Sequence, residues 1–325
     1  MDPELERLLA QLVHQQAADL YFLPMREGVR ILANVSGQRV AIKKIPTKIA
    51  SRWIGHLKYR ANMSVTEHRR PQAGAIRLKV GKTMVDVRLS TVGDYCDRES
   101  LVVRFIYRLI DQAYSLLVPE QWKELTTAAQ KRGLLLFAGP TGSGKTTTMY
   151  RLARRLDSQV IMTIEDPVEI EEPSFLQLQV NEMAGMGYQE LLKVGLRHRP
   201  QVFIIGEIRD KQTAMMAVQA SLSGHLVMAT IHARSAAGVV ARLCQLGVDD
   251  YAIDQAVSAV AYQRLLPTIN GHLAVLFDLL VDQQARNVIS TGKGGAVSEQ
   301  WRQDLETLVA GKVISPETKQ QFLYG

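Results

Sequence analysis

Residues 139–150 read Gly-Pro-Thr-Gly-Ser-Gly-Lys-Thr-Thr-Thr-Met-Tyr, a glycine-rich stretch able to bind a phosphate chain. They match the pattern G-x-x-x-x-G-K-[ST], in which Lys145 and Thr146 fill the last two fixed positions. Glycines allow backbone N–H groups to point inward around a phosphate, while Lys145 could reach the β- and γ-phosphates and the Thr146 hydroxyl could hold Mg²⁺. The pattern predicts a nucleoside triphosphate site. Its expected binding residues are Gly139, Pro140, Thr141, Gly142, Ser143, Gly144, Lys145, Thr146 and Thr147.

Two carboxylates, Glu165 and Asp166, follow residues 160–164, a short apolar run that predicts a buried strand. Ligands of open α/β sheets bind at the carboxyl ends of the strands. A carboxylate at that position could orient and deprotonate the water that attacks a γ-phosphate, and Glu165 is our choice for this base. Asp166 and Glu169 are close alternatives, and an acidic turn that merely ends the strand is a further interpretation.

A second acid, Glu207, follows the four apolar residues at 202–205 and resembles a Walker B element. Its carboxylate would bind Mg²⁺ directly or through water. Farther along, His225 and His232 stand at either end of another apolar run. A single histidine is more often an ordinary core residue, but this pair could sense a γ-phosphate. We therefore predict a catalytic role for His232 and a nucleotide contact for His225.

Strands and helices alternate through the second part of the chain, which predicts a parallel sheet with helices on both faces. The predicted strands are 134–138, 160–164, 202–205, 226–230 and 272–280. The predicted helices are 149–156, 188–198, 212–222, 236–246, 250–266 and two in 297–323, with a loose loop at 286–296. In this arrangement the glycine-rich loop joins a strand to a helix, as phosphate binding requires.

The first part of the chain predicts a small α+β domain. Its expected elements are a helix started by Asp2-Pro3, strands at 19–23, 28–35, 39–45 and 101–106, a helix at 47–62, and a hairpin of 75–80 with 83–89. We expect this domain to occupy residues 1–112 and the nucleotide domain to occupy residues 113–325.

Charge is unevenly distributed along the 325 residues, whose formal net charge is +7. Residues 1–115 contain 19 Lys plus Arg against 11 Asp plus Glu. Such a basic half suggests nucleic acid, anionic lipid or a phosphate ligand, or only a solvated surface. The cysteines, Cys96 and Cys244, form no metal-type pair, and no apolar run of about 18 residues predicts a transmembrane segment. We therefore expect a cytoplasmic protein.

The glycine-rich loop, the two acidic stretches and the histidine stretch occur in an order that resembles the type II secretion and type IV pilus assembly ATPase family. Residues 67–74, Glu-His-Arg-Arg-Pro-Gln-Ala-Gly, resemble the E-x-R-x-P-Q-x-G signature of that family. Residues 263–265, Gln-Arg-Leu, resemble its Q-R-L segment. The resemblance covers about residues 17–266 and is far more specific than any one motif.

This resemblance implies a RecA-like P-loop ATPase domain of the α/β class, preceded by a small α+β (PAS-like) domain. It implies ATP and Mg²⁺ as cofactors, and it implies that Arg88 and Arg104 of the N-terminal domain reach the nucleotide. The planar fork of arginine suits phosphate oxygens, although two surface charges on strands are the simpler alternative. A homohexamer is also implied, bound to a polytopic inner-membrane platform protein on the cytoplasmic face of the membrane.

Two isolated cysteines cannot supply the four-cysteine zinc module of the long assembly ATPases. The chain is shorter than the long assembly ATPases, and in this it resembles the competence-pilus ATPases of Gram-positive bacteria. Residues 196–200, Leu-Arg-His-Arg-Pro, also resemble those ATPases. We therefore predict ATP-driven assembly of the transformation pseudopilus for DNA uptake. The alternatives are pilus retraction, a nucleic-acid-binding RecA-like motor and a nucleotide-sensing regulator. Direct binding of nucleic acid is not expected, because aromatic residues are only 6% and show no basic–aromatic interleaving.

Overall fold

The computed structural model describes residues 2–35, 38–81, 83–107, 115–156, 160–181, 184–281 and 296–325. The chain divides into two units, Met1–Arg108 and Leu109–Gly325. The predicted boundary between residues 112 and 113 and almost all of the predicted loop at 286–296 lie outside the described residues. Over the described part of the chain, every helix is too short or too polar to span a bilayer.

The N-terminal unit is a six-stranded antiparallel sheet with two helices, and it contains each of the strands and helices predicted for the small α+β domain. Its elements are α1 (Pro3–His14), β1 (Asp19–Pro24), β2 (Val29–Val35), β3 (Gln38–Ile45), α2 (Thr47–Arg60), β4 (Gln72–Val80), β5 (Thr83–Gly93) and β6 (Glu99–Ile106). The strands lie in the order β3-β2-β1-β6-β5-β4. The predicted hairpin is therefore present as β4 and β5, whose residues pair in antiparallel register.

The core of the N-terminal unit lies on one face of its sheet. Successive side chains of a strand point to opposite faces, so Leu20 and Phe22 are fully buried while Tyr21 between them lies on the other face. The helices α1 and α2 cover the apolar face with buried side chains such as Leu9 and Trp53. The Trp53 ring meets the Phe22 ring edge-on at 6.4 Å. The opposite face of the sheet carries both polar and apolar side chains, such as Arg104 and Val102 of β6.

The C-terminal unit carries the alternating strands and helices that the sequence predicts. It begins with α3 (Pro119–Ala129), β7 (Gly133–Ala138), α4 (Lys145–Ala153), β8 (Ile161–Glu165), β9 (Leu176–Gln179), α5 (Tyr188–Arg197), β10 (Val202–Ile208) and α6 (Lys211–Leu222). It continues with β11 (Leu226–Ile231), α7 (Ala236–Gln245), α8 (Asp250–Ala256), β12 (Val257–Pro267), β13 (Leu273–Val281), α9 (Glu299–Ala310) and α10 (Pro316–Phe322).

The strands of this unit form one sheet in the order β13-β12-β7-β11-β10-β8-β9. All neighbours are parallel except β12 and β13, which are antiparallel. One apolar core holds α3 and α4 against one face, and a second core packs α5 to α10 against the other. The predicted parallel sheet with helices on both faces is confirmed. Its parallel strands end at one edge, and the predicted chemistry gathers there.

The predicted helix over residues 250–266 is wrong in its second half. Helix α8 ends at Ala256, and Val257–Pro267 is the strand β12 between β7 and β13. Both faces of this strand are covered, so its residues are apolar in a nearly continuous run and do not alternate. Such a run cannot be told from a buried helix by its period. The short edge strand β9 is a further element that the sequence did not indicate.

Candidate nucleotide-binding site

The glycine-rich loop follows β7, whose six residues are all buried, and ends where α4 begins at Lys145. Its glycines at 139, 142 and 144 have positive φ angles of 138°, 80° and 83°, which side chains other than glycine adopt at a cost. At Gly139 there is no room for a side chain either, because a Cβ would lie 2.3 Å from the carbonyl oxygen of Gln263. The sequence of the loop therefore dictates its curled backbone.

The side chain of Lys145 folds back onto the start of the glycine-rich loop. Its Nζ donates hydrogen bonds to the carbonyl oxygens of Gly139 and Pro140, each at 2.9 Å. Burial lowers the pKa of the Lys145 ammonium, and the carboxylates of Glu207 and Glu169 act in the opposite direction. The ammonium thus lies against the loop, and the Glu207 and Glu169 carboxylates are close enough to affect its pKa. If phosphate oxygens replaced the two carbonyl oxygens as its partners, they would favour the charged form of the ammonium.

A second donor in the loop fits a phosphate ligand. Ser143 is only 4% exposed, and among the described residues its Oγ has no hydrogen-bond partner. A buried hydroxyl without a partner is costly, so an acceptor oxygen in the loop would stabilise it. Thr146 and Thr147 follow in the first turn of α4, both half-buried. This donor set suits a polyphosphate, and Thr146 stands where a hydroxyl could ligate Mg²⁺.

A buried glutamine braces the loop from the neighbouring strand. Gln263 of β12 is fully buried, its Nε2 donates to the carbonyl oxygen of Ser143, and its Oε1 accepts from the Thr148 hydroxyl at 2.8 Å. This residue belongs to the Q-R-L segment, but the predicted helix gave it no place beside the loop. It reaches the loop because β12 runs directly alongside β7.

Replacing Gln263 by methionine should weaken both the fold and the binding of nucleotide. We expect the free energy of unfolding to fall by about 1–3 kcal/mol, because two buried hydrogen bonds are lost at nearly constant volume. We also expect a higher KM for ATP, because the Ser143 segment loses its anchor. Denaturant melts and steady-state ATPase kinetics measure the two effects. The exposed Gln130→Met is the matched control, and equal stability of the two variants would contradict the bracing role.

Glu207 and His232 come together at the carboxyl edge of the sheet, because β10 and β11 are neighbouring parallel strands. The Glu207 Oε1 lies 2.9 Å from Nε2 of His232, and its Oε2 accepts a 2.7 Å hydrogen bond from Nε of Arg209. The carboxylate is mostly buried, whereas both partners are largely exposed. Arg209 is a site residue that sequence reasoning missed, although it stands only two positions after Glu207. A carboxylate hydrogen-bonded by Arg209, in contact with His232 and close enough to Lys145 to affect the pKa of its ammonium is suited to a phosphate-bound metal.

Glu165 ends β8 and is 3% exposed. Its Oε1 accepts hydrogen bonds from the Thr163 hydroxyl at 2.6 Å and from the Tyr150 hydroxyl. Strand β8 lies beside β10, so the Glu165 backbone is next to Gly206, the residue before Glu207. The two acids therefore stand on adjacent strands at the same edge. They share this edge with the glycine-rich loop, as expected for residues that follow the carboxyl ends of strands in one parallel sheet.

Tyr188, the first residue of α5, lies among these acids. Burial raises the pKa of its hydroxyl, and the nearby carboxylates of Asp166, Glu165 and Glu207 raise it further, while Arg209 opposes them. The hydroxyl therefore stays protonated and able to donate near neutral pH. No feature of the sequence singled out this residue, because it is brought to the edge only by the packing of α5 on the sheet.

The structure does not bring His225 to the glycine-rich loop. His225 precedes β11, and its carbonyl accepts from Gly133 N–H at the amino end of β7, whereas the loop follows the carboxyl end of that strand. The Nδ1 of His225 lies 3.0 Å from the carbonyl oxygen of Ala220, and its ring lies 5.5 Å from the Phe203 ring. Within this unit, only His232 of the two histidines shares the edge with the loop.

In the N-terminal unit, Arg88 and Arg104 are directly opposite each other on β5 and β6. Arg104 is in turn opposite Asp19 of β1, and its Nε donates to Oδ1 of that residue at 3.0 Å. Paired residues share a face, so both arginines lie on the face that α1 and α2 leave uncovered. Adjacent like charges are unfavourable, and Asp19 offsets part of that cost. The two predicted arginines thus form one cationic row that could bind an anion.

Comparison with known proteins places this geometry in a family. A family model described as Type II/IV secretion system protein matches residues 1–313. Competence protein ComGA of Streptococcus pneumoniae is 43% identical over 250 residues, which are 76% of this chain and 79% of that protein. ComGA of Bacillus subtilis is 33% identical over 320 residues, which are 91% and 90% of the two chains. The ATPase DotB of Legionella pneumophila has the same fold, with a TM-score of 0.77 at 20% identity over 98% of this chain and 95% of that one.

Proposed function

This chain belongs to the Type II/IV secretion system protein family and is an ATPase, and we propose that it powers assembly of a competence pseudopilus for DNA uptake. The observation that carries the proposal is the match to ComGA of Bacillus subtilis, which spans about nine tenths of both chains. The relative from Streptococcus pneumoniae bears the same name. A match over nearly the whole length supports a shared task better than a match to one ATPase domain would.

The chemistry we propose uses the carboxyl edge of the larger sheet. The loop residues 139–147 would bind the phosphates of ATP, with Lys145 leaving its two carbonyl partners for phosphate oxygens. Thr146 and Glu207 would hold Mg²⁺, which when bound neutralises phosphate charge. Glu165 would accept the proton of the attacking water, and His232 would respond to the γ-phosphate through its contact with Glu207.

The remaining parts of the proposal concern assembly. The domain of residues 1–112 would supply Arg88 and Arg104 to the nucleotide, where guanidinium groups can hold phosphate oxygens bidentately. Their common row on one face of the sheet supports a joint role. A homohexamer would convert hydrolysis by the domain of residues 113–325 into movement of the N-terminal domains. A polytopic membrane platform protein would hold the motor on the cytoplasmic face of the membrane.

Disruption of the gene tests the direction of the motor. We expect loss of pseudopili and of transformation, both restored by the wild-type gene but not by one encoding Lys145→Ala. Excess pili on the disrupted strain would contradict assembly and support retraction, which uses the same ATP chemistry. Counting pili by electron microscopy and transformants on selective plates gives the two measurements.

A further inference from the structure

A buried chain of hydrogen bonds joins the helix after the glycine-rich loop to the proposed base. Tyr150 lies on α4 five residues after Lys145, is fully buried, and its hydroxyl bonds to Oε1 of Glu165. The Thr163 hydroxyl donates to the same oxygen at 2.6 Å. On its other side, the Tyr150 oxygen lies 2.7 Å from Nε2 of Gln177 on β9. The chain thus crosses from α4 to β8 and β9 within one core.

The direction of these hydrogen bonds follows from the surroundings of Gln177. Its Nε2 donates to the carbonyl oxygen of Ile170 at 2.9 Å, and its Oε1 accepts from the N–H of Glu172 at 2.8 Å. The amide nitrogen therefore faces Tyr150 as a donor, and the phenol oxygen accepts from it. The phenol proton is then directed to Glu165. Each member of the chain has a fixed orientation.

Burial makes this arrangement strong and specific. Tyr150 packs edge-on against Phe175, with ring centroids 5.1 Å apart, so the phenol has little freedom to rotate away. Burial and the adjacent Glu165 carboxylate raise the pKa of the Tyr150 hydroxyl, which keeps it a donor. Two donors on one carboxylate oxygen stabilise the ionised form of the acid. They also limit the directions in which the carboxylate can turn.

We propose that Tyr150 is a positioning residue for hydrolysis, which orients the Glu165 carboxylate and keeps it ionised for proton transfer from water. This inference rests on the proposed role of Glu165 as the base. It links phosphate binding to the activation of water, because Tyr150 belongs to the same helix as Lys145. The placement of the base is thereby tied to the helix whose first turn binds the phosphates.

The test is the pH dependence of ATP hydrolysis by full-length Tyr150→Phe. Loss of the donor should raise the pKa of Glu165, so the acid limb of kcat should move to higher pH by about one unit. The KM for ATP should change less than about twofold, because no phosphate contact is removed. Thr163→Val should shift the limb in the same direction. Tyr107→Phe is the matched control, since that half-buried phenol donates to the carbonyl of Ala17 at 2.9 Å and belongs to the N-terminal unit.

Two results would overturn the inference separately from the proposed function. If Tyr150→Phe and Thr163→Val lower kcat equally at every pH, or leave its profile unchanged, the chain only packs α4 against β8. If Glu165→Gln retains hydrolysis near the wild-type rate, the base is misassigned and the positioning role falls with it. Inactive Glu165→Gln together with an unshifted Tyr150→Phe profile overturns the positioning role alone. Thermal melts show whether each variant is folded. If Tyr150→Phe does not fold, the pH profile of Thr163→Val decides the question.

Discussion

We expect Lys145→Ala to lower the turnover of ATP by at least about 100-fold, which corresponds to about 2.7 kcal/mol of lost transition-state stabilisation. The ammonium belongs to the first residue of α4 and donates hydrogen bonds to two carbonyl oxygens of the loop. In the transition state it would face the charge that develops on the γ-phosphoryl oxygens. Removing it eliminates that interaction, and no neighbouring backbone N–H supplies a full positive charge.

Release of inorganic phosphate under multiple turnover, at saturating ATP and Mg²⁺, measures this effect. Lys123→Ala serves as the control, because Lys123 is an exposed lysine on α3 and has no place in the proposed site. The control should retain wild-type turnover. Normal phosphate release by purified Lys145→Ala would show that the glycine-rich loop is not where hydrolysis takes place.

Glu165→Gln separates binding from hydrolysis. We expect kcat to fall by about 100-fold or more, because general-base catalysis contributes factors of about 10² to 10⁴. The affinity for ATP should stay within about threefold, since Glu165 is buried beside Tyr150 and Thr163 and makes no proposed phosphate contact. The glutamine amide can still accept the two hydrogen bonds that the carboxylate oxygen accepts. Fold and nucleotide binding should therefore survive the loss of the base.

Equilibrium binding of a fluorescent ATP analogue and single-turnover hydrolysis give the two values. Asp166→Asn and Glu169→Gln are the matched controls, because these acids are close to Glu165 in the chain. Glu169 is the instructive one, since its carboxylate is near enough to Lys145 to affect the pKa of that ammonium. Full activity of Glu165→Gln with loss of activity in Glu169→Gln would transfer the role of base to Glu169.

The glycine-rich loop could be predicted from sequence because its information is local. Positive φ at Gly139 and Gly144 is compatible with few other residues, and Lys145 follows at a fixed spacing. The edge that gathers Glu165 and Glu207 could also be predicted, because parallel strands end together. These inferences need only the order of elements and the direction of the strands, and both are contained in short stretches of chain.

The contacts of Gln263 and Tyr150 could not be predicted, because they depend on which elements lie side by side. Both faces of β12 are covered, so its apolar run could not be distinguished from a helix by sequence. The predicted helix therefore gave no reason to place Gln263 beside the loop. Tyr150 is the last residue of the glycine-rich stretch 139–150, and only the packing of α4 beside β8 and β9 gives its hydroxyl its partners Glu165 and Gln177. Long-range packing decides both.

For the two histidines, the sequence predicted a shared site that the fold does not form. The sequence placed His225 and His232 at the ends of one strand, and that is where they lie. A strand of six residues is about 20 Å long, so two residues that bracket it are brought to opposite edges of the sheet. His225 and His232 are close in sequence, but the extended backbone of β11 keeps them far apart in space. His232 shares an edge with Glu207 and His225 does not.

A structure of the full chain with Mg²⁺ and a non-hydrolysable ATP analogue, determined by electron microscopy, would show whether the loop and the two arginines form one nucleotide site. We predict a six-membered ring in which Nζ of Lys145 lies within about 2.7–3.2 Å of a phosphate oxygen. We also predict that Arg88 and Arg104 contact the phosphates from an N-terminal domain. An analogue bound away from residues 139–147, or phosphates that neither arginine approaches, would contradict the composite site.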